Sequence, residues 1–275
     1  MRLSLTQVDA FAGGPFTGNP AAVMLLPHWL PDRVLQGIAA DNNLSETAYL
    51  VPHDGPGADF QLRWFTPKLE VALCGHATLA SGHVVLDALP ALQEARFLTR
   101  QAGLLSVARE GDALAMRLPS WPADQRITDM AAVAGALGAM PAELWARGAD
   151  YLVALFDSPD EVRALAPDMR AVLALAPGID LMLIATAPGE QSDVLSRVFV
   201  PACGVDEDPV TGSAHAVITP MWARLLGRNR FTAVQASARG GWLDCTLDGS
   251  QVILRGQART VIRGEYDLPD SAIAG

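Results

Sequence analysis

Lysine is almost missing from this chain. Lys68 is its only lysine, the other 19 basic residues are arginines, and 20 basic against 30 acidic side chains leave a formal net charge of -10. A surface of that sign gains no counterion release from a phosphate backbone, so nucleic acid and anionic membrane are excluded as expected partners. Cysteine is scarce as well. Cys74, Cys203 and Cys245 lie far apart, are odd in number and form no C-x-x-C pair, which argues against a disulfide framework. Long apolar runs are also lacking: those near 151–156 and 181–185 fall far short of the roughly 20 residues that span a bilayer. The opening Met1-Arg2-Leu3-Ser4-Leu5-Thr6-Gln7 breaks its apolar run too early for a signal peptide. These absences predict a soluble, cytoplasmic protein. No G-x-S-x-G, P-loop or G-x-G-x-x-G after a strand is found. With no H-E-x-x-H or paired ligand spacing, no metal site is expected.

What is present is a chain rich in core material. Half of the 275 residues are hydrophobic, 18% are charged and the mean hydropathy is +0.22, too apolar for a disordered segment. At about 100–200 residues per domain, one large domain or two moderate ones fit the length.

The chain repeats itself. Arg63-Trp64-Phe65-Thr66-Pro67 returns as Arg197-Val198-Phe199-Val200-Pro201, 134 positions on. Each copy reads as a strand ended by proline, which cannot donate to a ladder. Each leads through a loop to a helix that opens with glycine, Gly75-His76-Ala77 and then Gly212-Ser213-Ala214, 137 positions apart. Two matches in the same order near half the chain length indicate a duplication, with a loop three residues longer in the second copy.

Helices are predicted over 75–89 and 212–227, apolar or small on nearly every side, as a helix enclosed by other elements must be. Surface helices are predicted near 31–42, 128–138, 159–165 and 167–174. Strands are predicted near 3–10, 21–26, 47–52, 60–66, 95–101, 104–109 and 113–118. In the second half they fall near 150–155, 180–186, 195–200, 231–237, 241–247, 251–256 and 258–265. Glu110-Gly111-Asp112 and Asp248-Gly249 signal hairpins. The expected class is α+β, with two pseudo-symmetric halves, 1–118 and 119–275. Each is a curved, mainly antiparallel sheet around a central helix, with a cleft between them and the last strand free to return to the first half.

The first backbone N–H groups of an enclosed helix have no intrahelical partner, and with the helix dipole they make a seat for a carboxylate or a developing oxyanion. Two facing halves would bring two such starts into one cleft, making Cys74, His76, Asp208 and Ser213 candidates for one site. Each has a structural reading too. Asp208 before Pro209 suits an N-cap followed by proline at the first helical position. His76 suits a satisfied core histidine, Ser213 a hydrogen bond to its own helix end, and Cys74 an inert buried thiol. His83, seven residues after His76, reads as packing. Glu46 sits where a turn enters an apolar strand. Flanked by Leu44 and Ala48, it reads either as a partly desolvated base or as a solvated loop acid. Gly18-Asn19 reads as a turn whose backbone can also face a ligand.

These segments together resemble the PhzF-like family, named for phenazine biosynthesis and similar in fold to diaminopimelate epimerase. The matching pieces include Val8-Asp9-Ala10-Phe11, Pro15-Phe16-Thr17-Gly18-Asn19-Pro20, Asn43-Leu44-Ser45-Glu46-Thr47-Ala48, Gly75-His76-Ala77-Thr78 and Asp206-Glu207-Asp208-Pro209-Val210-Thr211-Gly212-Ser213-Ala214, in the family's order. The resemblance implies an isomerase without cofactor or metal, a homodimer, acting on a small carboxylate such as trans-2,3-dihydro-3-hydroxyanthranilate. By motif, Glu46 is the acid/base that removes and returns the proton. His76, Asp208 and Ser213 bind and polarise substrate and help relay protons, Gly75 and Gly212 offer backbone N–H groups, and Ser45, Asn19 and Cys74 complete the pocket.

Cys74-Gly75-His76 also resembles the first cysteine motif of proline racemase and diaminopimelate epimerase, which use a thiol on each face of a chiral carbon. The second thiol is expected at about Val210, which carries no proton, so a two-thiol racemase is disfavoured. A single thiol of lowered pKa at the helix start would keep a Cys74-based epimerase as an alternative. A non-catalytic paralogue that binds a metabolite or a protein is the remaining one.

Overall fold

In the computed structural model, residues 1–273 are described, and they form two compact units: 1–117 together with the C-terminal segment from 255, and 118–254. The tail from 255, whose last strand the sequence leaves free to return to the first half, belongs to the first unit. The reason is its last strand, whose ten residues pair along nearly the whole of the first.

The first unit is built on β1 (Arg2–Ala10), β2 (Asn19–Leu25), β3 (Glu46–Pro52), β4 (Phe60–Phe65) and the two-residue β5 (Glu70–Val71). It continues through β6 (Glu94–Thr99), β7 (Leu104–Glu110) and β8 (Ala113–Pro119) and is completed by β18 (Ala258–Asp267). Antiparallel pairing joins β18 to β1, β1 to β2, β3 to β4, β6 to β7 and β7 to β8. Two pairs are parallel, β2 with β3 and β4 with β6. The connections explain them: α1 (Asp32–Asn42) crosses over between the first pair and α2 (Gly75–Ala88) between the second, and parallel neighbours require such crossovers.

Helix α2 is buried on almost every side, from Gly75 to Leu86, and packs against β1, β2, β3, β6, β7 and β18. Gly82 shows how closely: a Cβ there would lie 2.4 Å from Val107 of β7. His83, as expected, packs and bonds Thr260 of β18 at 2.9 Å. Helix α1 covers the other face of the sheet with Val34, Leu35, Ile38 and Ala39, which join Leu3, Met24, Tyr49 and Phe65 in one apolar cluster.

The second unit repeats this plan. Its strands are β9 (Gln125–Ile127), β10 (Glu143–Arg147), β11 (Tyr151–Leu155), β12 (Met182–Pro188), β13 (Val194–Val200), β14 (Val205–Glu207), β15 (Arg230–Gln235), β16 (Gly241–Asp248) and β17 (Gln251–Gly256). Strand β9 pairs with β10 as β18 does with β1. Then β11∥β12 and β13∥β15 match the two parallel pairs of the first unit. Between β11 and β12 stand α4 (Pro159–Ala164) and α5 (Met169–Leu175). With α3 (Ala131–Leu137) they cover an apolar cluster centred on Phe156, Leu183 and Phe199. The enclosed helix is α6 (Gly212–Leu226), which packs on β16 and donates a hydrogen bond from Trp222 Nε1 to Thr186 Oγ1 of β12.

The repeated Arg-x-Phe-x-Pro segments have one structural job in both units. Arg63 of β4 grips Glu70 of β5 with bonds of 2.7 and 2.7 Å and lies 5.0 Å from the Phe65 ring. Arg197 of β13 grips Glu207 of β14 at 2.8 and 2.9 Å and lies 5.0 Å from Phe199. Residues two apart share a strand face, so each arginine is sandwiched between its carboxylate and its aromatic neighbour. The longer second loop is taken up by a 3₁₀ turn at Pro201–Cys203, closed by Gly204 at φ 91°. Each clamp ties down the chain a few residues before the start of the enclosed helix.

Candidate active site

Two groups of polar side chains gather at these helix starts, one in each unit. In the first unit, β2, β3 and α2 each contribute. The turn before β2 folds on Thr17, whose hydroxyl accepts from the N–H groups of Gly13 and Gly14 and donates to Gly14 O at 2.8 Å. Gly18 takes φ 87° and presses on β1, since a Cβ there would lie 2.6 Å from Ala10 O. That turn delivers Asn19, fully buried, to the start of β2. Glu46 stands at the start of β3, beside Ala21 of β2, with its side chain 17% exposed; the solvated-loop reading is thereby set aside. Ser45 precedes it, half-buried, next to Asn43 in the left-handed conformation at the end of α1.

His76, the second residue of α2, links them. Its Nε2 lies 3.0 Å from Glu46 Oε2, its Nδ1 lies 3.1 Å from Asn19 Nδ2 and 3.4 Å from Cys74 Sγ. The Glu46 contact is close but poorly aligned, and both atoms are buried without a hydrogen-bond partner among the described residues. Buried polar groups are nearly always bonded, so a facing pair left in this state is capacity held for a ligand or a moving proton. Burial favours the neutral His76 ring, yet the Cys74 and Glu46 groups outweigh it, and the pKa is raised well above 6.5. Since burial and the Glu46 charge push the Cys74 thiol up to about 11, that thiol is neutral near pH 7, and Glu46 is the partner that sustains the imidazolium. The lowered thiol pKa expected at this helix start is overturned: desolvation exceeds the help of the helix end and His76. None of Cys74, Cys203 and Cys245 is joined in a disulfide.

Glu46, Cys74 and His76 can each offer an atom within 4.8 Å of the others, the spacing of a three-ligand metal site. The ring, however, shows Nδ1 to Cys74 and Nε2 to Glu46. One ion shared by all three needs a single nitrogen facing both, so the layout suits a proton path across the ring better than a coordination sphere.

In the second unit, Asp208 follows β14 and its N–H bonds Val198 O at 3.0 Å. It is not the N-cap of α6. That position is Thr211, with Gly212 first in the helix, and the chain bends at Pro209 before it. The Thr211 hydroxyl donates to Asp208 Oδ2 in a very short contact instead of capping the helix. Ser213, second in α6, stands 3.9 Å from Met182 Sδ and beside the Tyr151 phenol. Burial raises the pKa of Tyr151, while the Ser213 bond acts the other way. His215, unremarked in the sequence, donates from Nδ1 to Thr211 O at 2.8 Å, and burial lowers its pKa to about 4. Cys74 caps α2 and Thr211 caps α6, so the second-half counterpart of Cys74 is Thr211 rather than Val210.

Glu46, His76, Cys74 and Asn19 thus share one cluster, with Gly75 in its helix start, while Asp208 and Ser213 lie on either side of Thr211 and Gly212 in the other. Sequence reasoning missed Tyr151, Met182, Thr211 and Gln235. Gln235 alone left a signal, an amide at the period-two position that follows the buried Phe231 and Ala233, where burial demands partners.

Residues 8–264 match the family described as phenazine biosynthesis-like protein, PhzC-PhzF. A Pseudomonas aeruginosa protein named as an uncharacterized isomerase is 47% identical over 273 residues, covering 98% of this chain and 100% of its own length. The crystal structure of a PhzF family phenazine biosynthesis protein from Enterococcus faecalis superposes with a TM-score of 0.88 at 39% identity, over 98% of this chain and 100% of that one. At 21% identity, a protein from Pseudomonas aeruginosa described as a predicted epimerase shares the fold with a TM-score of 0.74, over 97% of this chain and 100% of that one.

Proposed function

The chain belongs to the phenazine biosynthesis-like family, and from that premise we propose that it is an isomerase that moves a proton within a small carboxylate substrate such as trans-2,3-dihydro-3-hydroxyanthranilate. Glu46 is the group that takes the proton from carbon and returns it. The observation that carries this reading is the buried Glu46–His76 pair, 3.0 Å apart at the start of the enclosed helix α2.

The step balances without an outside reagent. The Glu46 carboxylate removes a C–H proton, the electron pair spreads toward the substrate carboxylate, and the Glu46 carboxyl group, which exchanges its proton with solvent, delivers a proton to a second carbon. His76, held charged by Glu46, is placed to stabilise the negative charge that develops. The N–H groups at Gly75 and Gly212 and the side chains of Asp208 and Ser213 bind the substrate's carboxylate and amine in this reading. No resident cofactor or metal has a part in it. A homodimer acting in the cytoplasm is the expected setting.

The test is incubation with that substrate in D₂O, following deuterium incorporation and product by NMR. Turnover with exchange at carbon is expected, and Glu46→Gln is expected to lower it by about 10³-fold, within the range of general acid/base groups. An undiminished rate in Glu46→Gln ends the proposal. No turnover with any related carboxylate favours the non-catalytic paralogue. The Cys74-based epimerase is disfavoured by a thiol whose pKa stands at about 11.

A further inference from the structure

We propose that Gln235 is a positioning residue that sets the direction of the hydrogen bonds around Asp208, turning the Thr211 hydroxyl onto that carboxyl group and so fixing its orientation toward a donor group of the substrate. The proposal rests on the isomerase reading and adds to it a residue outside every motif of the sequence.

Gln235 is the last residue of β15 and is fully buried. Its side-chain bonds go to one four-residue turn. Oε1 accepts from Thr211 N–H at 2.8 Å, which places Nε2 on the opposite side of the amide. The Nε2 hydrogens then go to Asp208 O at 2.7 Å and Thr211 Oγ1 at 3.2 Å. A primary amide has two N–H donors, and these bonds use both. Because Thr211 Oγ1 accepts from Gln235, its own proton turns to Asp208 Oδ2, the oxygen it touches. The chain has one sense: amide N–H to threonine hydroxyl to carboxylate. Asp208 so held presents its carboxyl oxygens in a fixed direction to an ammonium or hydroxyl donor.

The duplication sharpens the point. Ser196 of β13 pairs with Gln235, and Leu62 of β4 pairs with Thr99. Since Ser196 and Leu62 each precede the clamp arginine, Thr99 is the counterpart of Gln235. Its hydroxyl bonds Gly103 O at 2.8 Å, in its own turn. The amide is therefore a feature of the second unit alone, where an acid must be oriented. Ser237 offers a comparison of another kind, since its hydroxyl donates to Pro209 O at 2.7 Å and anchors the same turn without touching Asp208 or Thr211.

The experiment compares Gln235→Glu, Gln235→Leu and Ser237→Ala with the parent. Turnover is measured between pH 5 and 9, and amide hydrogen exchange at Thr211 is measured without substrate. A protonated glutamic acid keeps one O–H donor and an acceptor oxygen, whereas its carboxylate offers only lone pairs to Asp208 O and Thr211 Oγ1. Gln235→Glu is therefore expected to work at the acid end and to lose at least about tenfold in kcat/KM as pH rises. This limb should be absent from the parent and from Ser237→Ala. Thr211 amide protection should fall in Gln235→Leu, which removes the Oε1 acceptor. Gln235→Leu should also lose about 100-fold in kcat/KM at every pH, the order of effect of a misplaced binding group. A Gln235→Glu profile parallel to the parent's overturns the proposal, as does unchanged Thr211 protection in Gln235→Leu or a Gln235→Leu rate within threefold. If the parent itself turns over nothing, the isomerase reading fails, and the Thr211 exchange of Gln235→Leu still decides the role of Gln235.

Discussion

At the start of α2 the capping position holds Cys74 and the second helical residue is His76, while at the start of α6 those positions hold Thr211 and Ser213. The backbone around them is alike. Each helix is enclosed, each follows a strand clamped by Arg63 or Arg197, and neither takes a side-chain cap. Even the bond back to the cap carbonyl is repeated, from the Thr78 hydroxyl to Cys74 O at 2.6 Å and from His215 Nδ1 to Thr211 O at 2.8 Å. What differs is the chemistry the frame presents. One start faces a carboxylate across an imidazole, and the other turns a hydroxyl onto an aspartate. Packing constrains the frame, because nearly every helix face is filled; the copies differ in the polar side chains of the first turn.

The clamps are the place to break the likeness. Arg63 is 2% exposed and Arg197 13%, so Arg63→Leu is expected to be the costlier change. Removing one partner of a buried pair costs about 3–5 kcal/mol, and that loss should appear as a lower denaturation midpoint for Arg63→Leu, with Arg197→Leu affected less. Equal losses would show that the two clamps are energetically the same.

The two helix histidines should respond to pH in opposite senses. The folded pKa of His215 is depressed to about 4, so its contribution is present above about pH 6.5 and drains away as pH falls from there toward 4. Linkage puts the whole window at roughly 3 kcal/mol. His76 is raised above 6.5, so its contribution is full below that value and is lost as pH rises through its folded pKa. Urea midpoints against pH for His215→Gln and His76→Gln check both: the first variant should flatten the acid limb and the second the alkaline one.

The smallest expected effect belongs to Cys74. With its thiol pKa at about 11 and its side chain buried, Cys74→Ser should cost less than about tenfold in turnover, and iodoacetamide at pH 7.5 should label the half-buried Cys203 first. Rapid inactivation through Cys74 would bring the two helix starts under a thiol mechanism.

Much of the frame was legible beforehand. The enclosed helices announced themselves by apolar residues on every side, and the duplicated Arg-x-Phe-x-Pro strands and glycine openings marked the repeat. The strands missed were β5, β9, β10 and β14. β5, β9 and β14 hold only two or three residues, too few to show a period. β10, Glu-Leu-Trp-Ala-Arg, follows an Ala- and Gly-rich helical stretch that masks its alternation. Parallel neighbours were also missed, since local pattern shows a strand but not which strand lies beside it.

The order of elements, the repeat and the positions of Glu46, His76, Asp208 and Ser213 are determined by sequence, because periodicity, proline, glycine and motif spacing are local properties of the chain. Only the folded chain decided that Cys74 is a neutral thiol, that Thr211 rather than Asp208 caps α6, that β18 joins the first unit, and that Gln235 governs the Asp208 turn. Each of those depends on burial and on partners tens to hundreds of residues away. Desolvation and hydrogen-bond direction exist only once such partners have been brought together.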